Sequence, residues 1–106
     1  LTKGRAMAKG YWIARIDVHN PEGYKAYIAA NAAALKKYGA KFLVRGGRFE
    51  CPEGGHRARN VVLKFPNYEA AVACWYSPEY QSAIPHRTPF SQGDFLIVEG
   101  YDGLQP

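Results

Sequence analysis

Ala73-Cys74-Trp75-Tyr76-Ser77-Pro78-Glu79-Tyr80-Gln81 places the end of one helix and the start of another within nine residues. Upstream, Tyr68, Ala71, Val72 and Trp75 keep the i, i+3, i+4, i+7 spacing of a single helical face. Pro78 stops that helix near Ser77, because proline has no N–H to donate and disfavours a helical residue before it. Ser77 is a favourable N-cap, Pro78 a favourable first helical residue, and Glu79 a first-turn acid that suits the helix dipole. The stretch predicts a helix, a corner at Ser77 and a second short helix, with Trp75, Tyr76 and Tyr80 gathered around the corner.

The flanking segments alternate in a way that builds a sheet around this unit. From Gly10 to Val18, Trp12, Ala14, Ile16 and Val18 share one face, and Tyr11, Ile13, Arg15 and Asp17 the other. Asn20-Pro21-Glu22 starts a helix as cap, first residue and first-turn acid. Tyr24, Tyr27, Ile28, Asn31, Leu35 and Tyr38 lie along one side of it, Lys36 and Lys37 suit its C-terminus, and Gly39 ends it. Lys41 to Glu50 reads as a second strand with a bulge or bend at Gly46-Gly47, followed by a turn at Pro52-Glu53-Gly54-Gly55. Arg59 to Phe65 is the third strand, and Asn67 caps the helix that leads into the corner. Ile84 to Gly93 reads as loop, and Asp94 to Tyr101 as the last strand.

The order βαββαβ predicts an α+β, ferredoxin-like fold: a four-stranded antiparallel sheet with its helices on one face. Trp12/Ala14/Ile16, Val61/Leu63/Phe65 and Leu96/Val98 are expected beneath the helices. Tyr11/Ile13/Arg15/Asp17, Val62/Lys64 and Phe95/Ile97/Glu99/Tyr101 are expected on the other face. That second face is half apolar and half charged, and a large apolar patch is unusual on a monomer. Two such faces packed about a two-fold axis give a homodimer, with the charges enclosed and in need of partners or ligands.

Phe65-Pro66, Ala70, Trp75-Tyr76-Ser77-Pro78-Glu79-Tyr80-Gln81 and Arg87 together resemble a bacterial domain-of-unknown-function family of the dimeric α/β-barrel (ferredoxin-like) superfamily. The likeness runs from Tyr11 to about Gly100. It takes in Pro21-Glu22-Gly23-Tyr24, Lys41-Phe42-Leu43-Val44-Arg45-Gly46-Gly47, Glu53-Gly54 and Val98-Glu99-Gly100. It implies a dimeric α/β barrel with a cavity between sheet and helices, near the Trp75–Tyr80 corner and the Arg87 loop. Superfamily relatives such as antibiotic-biosynthesis-type monooxygenases and muconolactone-isomerase-like enzymes use such a cavity without metals. The reaction class implied is cofactor-free isomerisation or oxygenation of a small anionic molecule, with a non-catalytic binding or stress-related dimer as the alternative. Lys64 stands where the family commonly has an acid, and Pro85-His86-Arg87-Thr88-Pro89 is a stiffer version of its loop.

Composition narrows the classes further. The 106 residues fit one domain, with residues 1–9 as leader and 10–103 as the folded unit. An apolar share of 47% suits a globular chain, and 14% aromatic residues suit a pocket or interface. No run approaches the roughly 20 apolar residues of a membrane span, and residues 1–10 lack the apolar core of a signal peptide, so the expected location is cytoplasmic. The net charge of +5 includes Lys3 and Arg5 of the leader, and the remaining basic residues are scattered. The third strand offers an RNA base only Phe65, at its end, so nucleic acid is not an expected partner. Cys51 and Cys74 read as free thiols. His19, His56 and His86 lack ligand spacing, so no metal is expected, and no nucleotide-binding motif calls for a cofactor.

The candidates for chemistry are therefore few. Arg45, Arg59 and Arg87 match arginines of the family pattern, and a planar guanidinium fork suits an anionic ligand. The competing expectation is that they pair with Glu53, Glu79 or Glu99. Trp75, Tyr76 and Tyr80 are the aromatic ligand contacts. Glu99, His86 and Tyr80 are the candidates for proton transfer, with a structural ion pair from Glu99 to Arg15 or Arg45 as the plainer role.

Overall fold

The computed structural model describes residues 8–106. Most of the expected leader, residues 1–7, lies outside the described residues. Ala8 is buried, and the Lys9 carbonyl accepts a 2.7 Å bond from the Gly100 N–H.

Strand β1 (Gly10–Val18) is followed by helix α1 (Pro21–Lys37), strands β2 (Lys41–Arg45) and β3 (Arg59–Phe65), and helices α2 (Tyr68–Tyr76) and α3 (Pro78–Ala83). Two single-turn 3₁₀ segments, Ile84–His86 and Thr88–Phe90, lead into β4 (Ser91–Glu99). The strands form one antiparallel sheet in the order β2-β3-β1-β4, the ferredoxin-like arrangement. Its capping chemistry is local. The Asn20 Oδ1 accepts from the Gly23 N–H at 3.1 Å, the Asn67 side chain accepts from the Ala70 N–H at 2.7 Å, and Gly39 adopts φ 74° after α1.

The corner forms as its sequence predicts. The Ser77 Oγ donates to the Cys74 carbonyl at 2.7 Å and accepts from the Tyr80 N–H at 3.1 Å, closing α2 and opening α3 with one hydroxyl. Its aromatics make the core. The Trp12 ring centroid lies 5.1 Å from Phe65 and 4.9 Å from Tyr80, and its Nε1 donates to the Ala71 carbonyl at 2.8 Å. Trp12, Ala14, Ile16, Val61, Leu63 and Phe65 are all buried beneath the helices.

Three segments differ from the sequence expectation. Strand β2 ends at Arg45 rather than running to Glu50: Gly46, at φ 67°, turns the chain away, and the register irregularity falls earlier, between Phe42 and Val44. Residues 46–58 become an arm outside the sheet, almost all of it exposed. Strand β4 starts at Ser91 rather than Asp94, and the preceding segment is wound into 3₁₀ turns rather than open loop.

The third difference is the phase of β4. Trp12 pairs with Ile97 and Ala14 with Phe95, so Phe95, Ile97 and Glu99 lie on the helix side and Leu96 and Val98 on the open side. Phe95-Leu96-Ile97-Val98 is apolar at every position, so alternation alone cannot choose between its faces. The open face therefore carries Ile13, Val44, Val62, Leu96 and Val98, beside the charged Arg15, Asp17, Lys41, Lys64 and Asp94.

The charged end of that face is settled within the chain. Arg57, on the arm, donates to Asp17 at 2.9 Å and to Asp94 at 3.0 Å, and the Ala58 N–H donates to Asp17 at 2.9 Å. Arg15 reaches Asp94 at 3.8 Å. The arm is latched across the ends of β1 and β4 by charge.

Candidate functional site

A cavity opens between the sheet and α1. The sheet side supplies Trp12, Ala14, Ile16, Val61 and Leu63, and α1 supplies Tyr24, Tyr27, Ile28, Asn31 and Leu35. Phe42, Arg45, Arg59 and Phe95 complete the lining. The cavity volume is about 40 Å³, a narrow space in the single chain. Its walls follow from the helix period: Tyr24, Tyr27, Ile28, Asn31 and Leu35 fall on one face of α1, over the middle of the sheet.

Positive charge is concentrated around this apolar space without a matching acid. Arg87 is only 8% exposed. Its guanidinium carbon lies 4.3 Å from the ring centroid of Phe95 and 5.4 Å from that of Tyr27, two rings of the cavity wall. The Nε atoms of Arg59 and Arg87 are buried with no hydrogen-bond partner. Among the described residues, Arg45, Arg59 and Arg87 have no carboxylate within ion-pair distance, and Arg45 stacks over Phe42 at 4.1 Å. Glu79 is bonded to Lys37 at 2.8 Å instead. A buried guanidinium costs several kcal/mol of desolvation unless a counter-charge or full hydrogen bonding offsets it.

Three phenols stand with these cations. The Tyr27 and Tyr80 hydroxyls are 2.6 Å apart, and the Tyr24 and Tyr27 ring centroids are 5.3 Å apart. Burial holds the Tyr80 hydroxyl well above the usual phenol range; the neighbouring Tyr27 adds to this, and the charge of Arg87 opposes it. Burial likewise raises Tyr24, with Tyr27 adding, against the charges of Arg59 and Arg87. These two phenols stay protonated at neutral pH.

The residues singled out in the sequence divide by place. Arg45 and Arg59 line the cavity, and Arg87 stands behind two of its rings. Tyr80 is fully buried at 0% exposure, behind Tyr27 rather than in the cavity wall. Trp75 packs into the core, 5.5 Å from Trp12, 5.0 Å from Tyr80 and 5.6 Å from Phe95 by ring centroids. Tyr76 is 71% exposed, at a shallow groove with Trp75, Phe95 and Ile97. His86 is exposed on its 3₁₀ turn. Glu99 lies at the end of β4 opposite Gly10, on the helix side of the sheet and not on the open face where the sequence placed it.

The sequence reading passed over Tyr24, Tyr27 and Asn31 as site residues. Their signal was present as one helical face, but periodicity reports that a face is turned inward, not whether it meets a packed neighbour or a cavity.

A family model described as Domain of unknown function (DUF1330) matches residues 9–101. No curated protein matches the chain. Among solved structures, a protein of unknown function from Rhodopseudomonas palustris is 18% identical, with a TM-score of 0.67 over 99% of this chain and 92% of that one. The cofactor-independent oxygenase SnoaB from Streptomyces nogalater is 13% identical, with a TM-score of 0.60 over 93% and 99%. A dimeric ferredoxin-like protein of unknown function from Thermobifida fusca is 15% identical, with a TM-score of 0.53 over 87% and 91%. At such identities these likenesses carry the fold.

Proposed function

We propose that this chain, which belongs to the DUF1330 family, is a homodimer whose cavity binds a flat, anionic organic molecule. The observation that carries the reading is the pair Arg59 and Arg87, each with a buried Nε lacking a partner, beside an aromatic-lined space. Aromatic walls favour a planar ligand, and buried cations without acids favour a negative one. The second copy covers the open sheet face, as the dimeric relative from Thermobifida fusca and the apolar set Ile13, Val44, Val62, Leu96 and Val98 support.

Among catalytic readings, cofactor-free oxygenation of a substrate that is already ionised fits the lining better than isomerisation. Isomerisation needs a side chain that takes up a proton and returns it, and the described lining contains no Asp, Glu, His, Lys or Cys. The cofactor-independent oxygenase from Streptomyces nogalater supports this reading by analogy of architecture. The same lack of a base favours the second reading, a binding or stress-related dimer without catalysis.

Calorimetric titration with 2-naphthoate and the neutral 2-naphthamide tests the anion site. The acid is expected to bind at least about tenfold more tightly than the amide, as one hydrogen bond to a charged group allows. Arg59→Gln is expected to erase most of that difference. Equal binding of the two compounds, or binding of neither, counts against the reading.

A further inference from the structure

We propose that the cavity takes only the carboxylate of its ligand, and that the ligand's flat apolar body lies in the groove between the start of α1 and the root of the arm. The ligand class is an elongated aryl monocarboxylate with its acid at one end. The inference rests on the reading of the cavity as an anion site and divides that ligand between two adjoining spaces.

Volume forces the division. A space of about 40 Å³ holds roughly three waters at most, whereas a dry apolar cavity that takes benzene measures about 150 Å³. A carboxylate can enter such a space and a ring cannot. Tyr24, Ile28 and Arg59 line the cavity and also line a groove of about 390 Å³, so the two spaces adjoin along α1. The groove falls within the roughly 300–1,000 Å³ usual for small-molecule sites.

The walls assign the two ends of the ligand. The cavity side holds Asn31, Arg45 and Arg59, an amide and two guanidinium forks that suit the two oxygens of a carboxylate. The groove side adds Val18, Pro21 and Ala58, whose side chains offer no hydrogen bond and suit an apolar body, with the Tyr24 ring as a flat wall. Among the described residues, no Asp or Glu lines either space. The groove's other cation, Lys25, is engaged with Glu22 at 2.5 Å, which leaves Arg59 as its uncommitted charge, at the junction. The Arg59 Nε is buried without a partner, and a Cβ on Gly46 would stand 2.7 Å from the Arg59 Nη1, so the guanidinium packs where the arm leaves the sheet. A ligand entering from the groove meets Arg59 acid first, and its rings remain between α1 and the arm root.

Calorimetry with biphenyl-4-carboxylate and biphenyl-2-carboxylate tests this, because the isomers share charge, composition and rings and differ only in shape. The 4-isomer carries its acid at the tip and is expected to bind at least about tenfold more tightly than the 2-isomer, whose second ring crowds the acid. Ala58→Phe, at an exposed position, narrows the groove and is expected to weaken the 4-isomer at least about fivefold. Equal binding of the isomers, or a preference for the 2-isomer, overturns the proposal, and so does undiminished binding of the 4-isomer to an Ala58→Phe variant that melts like the parent. The isomer comparison on the parent protein decides where the variant fails to fold. If 2-naphthoate binds better than its amide and biphenyl-4-carboxylate does not bind, the groove assignment falls and the anion-site reading stands. If neither acid binds better than its amide, both fall.

Discussion

At the scale of single residues, burial separates side chains of one type into different chemistries. Cys51 is exposed on the arm, its Sγ near the Glu53 and Gly54 carbonyls at 3.3 and 3.4 Å. Cys74 is fully buried in α2, and burial, with the Glu79 charge adding, pushes its thiol up to about 12. A thiol needs its ionised form and access to react. One cysteine per chain is therefore expected to react with an aromatic disulfide reagent under native conditions, and the second only after denaturation. Two rapid native equivalents would contradict the packing of α2 against α1. Gly10 is another such residue: a Cβ there would collide with the Asn67 carbonyl, where β1 meets the α2 cap. Gly10→Ala is expected to cost about 1–3 kcal/mol, read as a lower urea midpoint at unchanged slope. Sequence reading was least informative at this scale. It named Arg45, Arg59 and Arg87 from a resemblance, but Tyr24 and Tyr27 carry no mark that separates a cavity-lining phenol from a packed one.

At the scale of elements, legibility tracked how local the deciding force is. The Ser77 corner was readable because proline geometry and a capping hydroxyl act within a few residues. Ser77→Ala removes both bonds of that hydroxyl and is expected to cost about 1 kcal/mol, within the ~0.5–2 kcal/mol usual for a cap, in thermal or urea unfolding. The phase of β4 was unreadable because the decision belongs to its partner: β1, itself clearly alternating, fixes which of four apolar residues turn inward. The arm was misread as strand because Gly46-Gly47 fits a bulge as well as an exit, and a positive φ at Gly46 with Arg59 close by decides for exit. The arm's latch predicts a pH dependence. Asp17 is held below its ordinary value of 3.8, chiefly by the Ala58 N–H, with Arg57 helping and burial opposing. A lowered carboxylate contributes stability that is fully present above the ordinary value and lost as pH falls through the folded one. Asp17→Asn is expected to flatten the acid limb of the stability profile. An unchanged limb would mean the latch contributes nothing.

At the scale of the whole molecule, the fold is one layer of helices on one face of a sheet, and the other face is left open. Leu96 is 53% exposed in the single chain, so covering it is worth about 1–1.5 kcal/mol, and Ile13, Val44, Val62 and Val98 share its face. Because Arg57 and Arg15 together balance Asp17 and Asp94, dimer formation need not bury unpaired acids from that end. Leu96→Lys is expected to shift the protein to monomer in analytical ultracentrifugation, with the helix-side core intact by circular dichroism. The sequence argued for the dimer from a face it composed partly from the wrong β4 residues; Leu96 and Val98 take the places of Phe95 and Ile97 there, and the argument keeps its form. Native mass spectrometry of protein taken from its own host examines interface and cavity together. The account predicts the mass of a dimer carrying a small acidic molecule that departs on denaturation. A monomer without any bound molecule would contradict it.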